Sequence, residues 1–165
     1  MHWVMAVMII TLIGVGNYMA DLPKDTAEQK QHAFQFYGLH KSFGVVALAL
    51  IIVRLAWIRI SPAPALPAVF NAKEQMVTKL VQAFLYILMI LVPLSGYIMS
   101  NAGGYPINLF GLGELPAPIG KIKEIGGITH EATEIMGFAM LALVAFHVVG
   151  SVQACATHKG RGSVI

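Results

Sequence analysis

The chain has 165 residues, of which 57% are hydrophobic and only 12% charged, with a formal net charge of +3. Ordinary soluble domains carry about half apolar and about a quarter charged residues, so this composition describes an integral membrane protein and excludes a typical water-soluble fold. The few cations stand near the ends of apolar stretches, where they speak for topology and not for nucleic-acid binding.

Residues 2–20 are uncharged and make a first span, which opens on His2 and Trp3. They lack a basic start, and Tyr18 and Ala20 make a poor small-x-small cleavage site, so the segment reads as a retained helix and not a secretory signal. Asp21 to Gln35, with three acids and two lysines, predicts a solvated loop that closes on Phe36 to His40. The second span runs over about 40–60 and is interrupted by Arg54; Pro62, Pro64 and Pro67 stop it in an extended linker. Lys73 to Lys79 lead, as an amphipathic turn, into a third span over about 80–100, where Pro93 is expected to kink the helix.

Asn101 to Gly127 reads as a long loop rich in glycine and proline, whose apolar piece Ile107 to Leu112 lies on the membrane surface or over a site. The fourth span covers about 130–157, is free of charge from Ile135 to Thr157, and ends near His158. No internal repeat or heptad array is present. The expected fold is therefore all-α, a four-helix bundle forming a single membrane domain over residues 1–165. Arg54, Arg59, Lys73, Lys79, Lys159 and Arg161 collect on one side, against Lys24, Lys30, Lys41, Lys121 and Lys123 on the other. All three arginines fall in the first group, which favours both termini in the cytoplasm.

A polar side chain at membrane depth is costly, so histidines in spans are functional hypotheses. His130 and His147 are seventeen residues apart, which is roughly 25 Å along a helix and most of a hydrocarbon core. With helices running alternately, His2 and His147 fall toward the inner side, and His40 and His130 toward the outer side. One pair per leaflet, each from two helices, is how a bundle core holds a cofactor. Imidazoles ligate haem iron well, so two b-type haems with bis-histidine ligation follow as the hypothesis. The single cysteine, Cys155, excludes covalent attachment of a c-type haem, a cysteine-ligated cluster and an internal disulfide.

Small residues agree with this, because a ring between helices needs room. Gly44 follows His40 by one turn, Gly150 follows His147 by three residues, and Gly16 shares a face with His2. Arg54 stands fourteen residues after His40, hence on the same face, where a guanidinium can pair with propionates. Taken singly, each histidine also fits an interfacial side chain or a cap, the glycines fit plain helix packing, and Arg54 or Arg59 fits a snorkelling cation. His32 and His158 read as solvated.

His2-Trp3, Leu39 to Gly44, Val53 to Arg59 leading to Ser61-Pro62, Ser95-Gly96-Tyr97, Phe110-Gly111 and a histidine late in the fourth span together resemble the prokaryotic cytochrome b-561 family over nearly the whole chain. The resemblance implies a four-helix inner-membrane bundle with two haems. They would be held by His2 with His147 and by His40 with His130, moving electrons between quinone or quinol and another partner, with superoxide as a further substrate. Two departures stand out. The family spaces its fourth-helix ligands by fourteen, which from His147 reaches Thr133, and a later histidine pair seen in relatives is replaced here by Ala154 and Cys155. Relatives also carry a short polar stretch before the His-Trp pair, and His2 at the very start looks shallower than His147, so the natural start is expected upstream. The competing readings are an anchor subunit of a dehydrogenase or hydrogenase with a soluble redox partner, and a non-redox bundle or transporter.

Overall fold

The structure, a computed structural model, describes residues 2–61 and 71–159. The Pro62 to Pro67 linker and Arg161 lie outside the described residues, as do the side chains of Ala154, Cys155 and His158. Four helices follow one another: α1 (His2–Ala20), α2 (Ala27–Ile60), α3 (Ala72–Ala102) and α4 (Lys123–Lys159). Each is long and apolar enough to cross a membrane, so the chain is a multi-pass membrane protein folded as an all-α four-helix bundle.

Three helices are longer than their apolar spans, and local hydrogen bonding explains two of the extensions. Thr26 Oγ1 accepts from the Gln29 N–H at 3.2 Å while Gln29 Oε1 accepts from the Thr26 N–H at 3.0 Å. This reciprocal capping box starts α2 at Ala27. Asn71 and Glu74 do the same for α3, at 2.9 and 2.8 Å. The solvated loop expected over Asp21 to Gln35 therefore shrinks to the residues before the Thr26 cap, and Lys73 to Lys79 are turns of α3 and not a separate element. The third extension places Lys123 to Gly127 in α4 instead of in the loop. Polar residues concealed all three, because a helix that leaves the membrane no longer needs an apolar surface. His40 and His130 consequently lie inside their helices and not at the helix starts.

Sequence neighbours pack together: α1 against α2, α2 against α3, and α3 most extensively against α4, while α1 and α4 meet only marginally. The diagonal pairs α1/α3 and α2/α4 make no close backbone approach among the described residues. Small residues permit the α3/α4 contact. A Cβ on Gly126 would stand 3.6 Å from the Ala102 carbonyl carbon, and Thr133 Oγ1 lies 2.8 Å from Ser95 Oγ. Pro93 sits within α3, which continues through it.

The α3–α4 connection folds back over the His40 end of the bundle. Leu109 to Leu112 form a two-residue turn closed by the Leu112 N–H on the Leu109 carbonyl at 2.9 Å. Both central residues have positive φ, Phe110 at 51° and Gly111 at 80°, as a type I′ turn requires. A phenylalanine in that region is strained, and contacts with α2 hold it there. The Phe110 N–H donates to Ser42 Oγ at 3.2 Å, Ser42 Oγ donates to the Asn108 carbonyl at 3.0 Å, and the Phe43 and Phe110 rings meet edge to face at 5.0 Å. The apolar piece Ile107 to Leu112 thus lies over α2, with Ile107 itself buried.

Ser42 is 1% exposed, so Ser42→Ala removes a buried hydroxyl and leaves the part-buried Phe110 N–H and Asn108 carbonyl without their shared partner. That loss is worth about 1–3 kcal/mol. Thermal unfolding in detergent is expected to shift downward, and unchanged stability would show that the loop is held by other contacts.

Candidate cofactor site

α1 begins where α4 is close to its end, and the sequence puts an imidazole on each. His2 and His147 face one another with ring centroids 6.5 Å apart and ring planes inclined by 66°. The shallower position expected for His2 is not observed, because its ring meets that of His147 although α4 runs on to Lys159. A metal bonded to one nitrogen of each ring at about 2 Å sets two imidazole centroids roughly 6 Å apart, so the observed separation suits a shared iron. Among the described residues, no three histidine, cysteine or carboxylate side chains converge on one point. The pair therefore offers two ligands and leaves the rest of the coordination sphere to a macrocycle, which fits haem and does not fit a tetrahedral protein-only site.

Arg54 reaches this end from α2. It is half-buried, its Nε donates to the Tyr86 hydroxyl of α3 at 3.1 Å, and its guanidinium stands 6.0 Å from the Tyr86 ring centroid. Its charge lies close enough to act on His2. Tyr86 was not singled out in the sequence, although a tyrosine amid apolar residues of a span, on a helix neighbouring Arg54, was the available signal.

His40 stands nearer the other end of the bundle. Its Nδ1 is buried without a hydrogen-bond partner, and its ring lies against α1 at Gly16, where a Cβ would meet Cε1 at 3.2 Å. Gly16 therefore makes room for His40 and not for His2. Added Cβ atoms at Gly44 and Gly150 meet nothing within 4 Å, so neither is a point of close approach. The next residue, Lys41, donates from Nζ to the Tyr105 carbonyl at 3.3 Å, tying α2 to the capping loop. Ser100 Oγ donates to the same carbonyl. Beside it Asn101 is 3% exposed, with both amide atoms unpartnered.

His130 is exposed on α4 and is not brought into ring contact with His40. His32 is exposed and meets Phe36 edge to face, with centroids 5.1 Å apart. Thr133, fourteen residues before His147, faces α3, and its hydroxyl is engaged with Ser95 and with the Thr129 carbonyl, at 2.8 and 2.6 Å. Of the four candidate ligands, then, the structure unites one pair, half-buries a third and leaves the fourth on the flank.

Comparison with known proteins agrees with this description. The family model described as prokaryotic cytochrome b561 matches residues 1–159. The chain is also similar to cytochrome b561 homolog 2 of Escherichia coli (strain K12), at 28% identity over 133 residues, covering 78% of this chain and 68% of that protein. Four apolar helices, a facing histidine pair between the first and the fourth, and a family match over nearly all residues lead to one assignment: the chain belongs to the prokaryotic cytochrome b561 family, membrane b-type cytochromes of electron transfer.

Proposed function

We propose that this protein carries single electrons across the bacterial inner membrane, using two non-covalently held b-type haems and exchanging electrons with quinone or quinol on one side. Support for the first haem comes from the facing imidazoles of His2 and His147, which is the observation that carries the reading. Haem supplies a one-electron iron couple, and two axial imidazoles suit it to electron transfer over small-molecule binding. The remaining work belongs to the chain. α1 and α4 meet so marginally that this histidine pair is itself a main link between them. Arg54, held by Tyr86, places a cation beside the pair, where it can receive propionates and offset negative charge. His40 is the ligand for the second haem, in the half of the bundle covered by the loop. In this reading both termini face the cytoplasm, and superoxide oxidation is a further activity that the family resemblance brings.

Reduction by a soluble quinol tests the partner. The purified protein's b-type absorption should appear on adding quinol alone; haem that dithionite reduces and quinol does not would remove quinone from the account. Arg54 offers a second test. A cation near the iron favours the reduced state, which carries one less positive charge. Arg54→Gln is expected to lower the midpoint potential of one haem, since a unit charge in a partly buried site is worth on the order of 1 kcal/mol, about 40 mV for one electron. Tyr86→Phe should move the same haem in the same direction by less, because it frees the cation without removing it. Redox titration reads both, and unaltered potentials would leave Arg54 as an anchor of α2 to α3.

A further inference from the structure

Leu112 is 87% exposed at the tip of the α3–α4 connection, beside the exposed ring of Phe110. We infer that the turn from Leu109 to Leu112 is immersed in the bilayer, on the flank of α2 turned away from His40, with Phe110 and Leu112 packed against lipid acyl chains. This rests on the membrane crossings alone and is independent of the haem reading.

Depth follows from α1. Its 19 residues span roughly 28 Å, barely the thickness of a hydrocarbon core of about 30 Å, so its two ends mark the two membrane edges. Tyr18 stands near one of them, and its ring meets that of Phe36 edge to face at 5.3 Å. Phe36 of α2 is therefore at the same edge, where aromatic rings collect. From there α2 runs into the membrane, and Ser42, six residues on, lies roughly 9 Å deeper. The charge pattern agrees, because the uncharged stretch of α2 begins at Ser42, directly after Lys41. Ser42 Oγ accepts from the Phe110 N–H at 3.2 Å and donates to the Asn108 carbonyl at 3.0 Å, so the turn shares its depth.

The chemistry of the turn suits immersion. Non-helical backbone at membrane depth needs its polar groups satisfied by the protein. The Leu112 N–H donates to the Leu109 carbonyl and the Leu109 N–H to the Gly113 carbonyl, both at 2.9 Å, while Ser42 gives the turn both its donor and its acceptor. Residues 109–113 carry no charge. Phe110 holds a positive-φ position that asparagine or glycine usually fills, so a large apolar side chain is kept there against backbone strain. The patch is also continuous with the membrane-facing surface of a spanning helix. Phe43, whose ring meets Phe110 at 5.0 Å, and Leu39 one turn before it are both exposed on α2. Ser42, two residues after His40, lies about 160° around the helix from it, which puts this surface on the flank away from α1 and the histidine. That continuity makes lipid the occupant.

A spin label reads the depth directly. Leu112→Cys in a Cys155→Ser background is labelled with a nitroxide and reconstituted into vesicles of phosphatidylethanolamine and phosphatidylglycerol. The label is expected to be open to oxygen and shielded from a water-soluble nickel chelate. Ile52→Cys, exposed in the middle of α2, supplies the lipid reference, and Lys30→Cys, exposed before Phe36, the water reference. A label at position 112 that matches the one at position 30 overturns the inference by placing the turn in water. A label shielded from both reagents overturns it as well, since protein and not lipid then covers the turn. Leu112→Asp gives an independent reading. On a solvated turn so exposed a position tolerates a charge, whereas in the bilayer the carboxylate should lower the thermal midpoint in the same vesicles, and an unmoved midpoint contradicts immersion.

Discussion

Replacing His147 with alanine is expected to remove one haem from each chain and to leave the other in place. His147 is half-buried and its ring makes one described contact, with His2. The substitution therefore takes away a ligand without opening a packed core, and α3 still holds α4 along most of its length. A haem that loses one of two protein bonds in a non-covalent site is retained poorly, so the haem-to-protein ratio is expected to fall by about half. His2→Ala should give the same loss from the opposite helix. The haem that remains should be the one on His40, identified by its absence in His40→Ala. Folded protein that loses both haems, or neither, would show that His2 and His147 do not form a site of their own.

Gly16→Val should have the complementary effect. A Cβ at this position already stands 3.2 Å from His40 Cε1, and valine adds two carbons beyond it. The imidazole must rotate away, and with it the ligand proposed for the second haem. Valine has a higher helix propensity than the glycine it replaces, so the helix itself should survive. Half the haem is expected to be lost while the His2/His147 haem is retained. Gly14→Val is the matched control, since nothing lies within 4 Å of a Cβ there, and it should bind haem normally. Equal haem content in the two variants would mean that Gly16 does not shape the His40 site.

Much of this arrangement was legible in the residues. Apolar runs of membrane length give four crossings, and alternation of the helices with the depth of each histidine brings His2 of the first beside His147 of the fourth, where the rings meet. Arg54 was placed inward by its spacing from His40, and the structure has it half-buried against α3. Helix ends were less legible, because hydropathy marks where the membrane stops and not where the helix stops. Thr26-x-x-Gln29 and Asn71-x-x-Glu74 were nevertheless visible as capping signatures.

The aim of His130 was the hardest point. Depth along a helix can be counted from the sequence, but direction around it depends on which face the neighbour takes. Here Gly126 and Thr133 direct that face to α3. Gly16 was assigned to His2 on the same kind of count, whereas packing places it against His40. The loop seated on Ser42 and Lys41 depends on contacts more than 60 residues distant in the chain, beyond the reach of local pattern.

The central claim is that the facing imidazoles of His2 and His147 hold a b-type haem, and a reduced-minus-oxidised absorption spectrum with a haem count tests it most directly. Wild-type protein purified from a membrane should be red, give a b-type difference spectrum and carry about two haems per chain, and the His2→Ala/His147→Ala double variant should carry about one. Colourless wild-type protein, or a double variant with an undiminished spectrum, would contradict it.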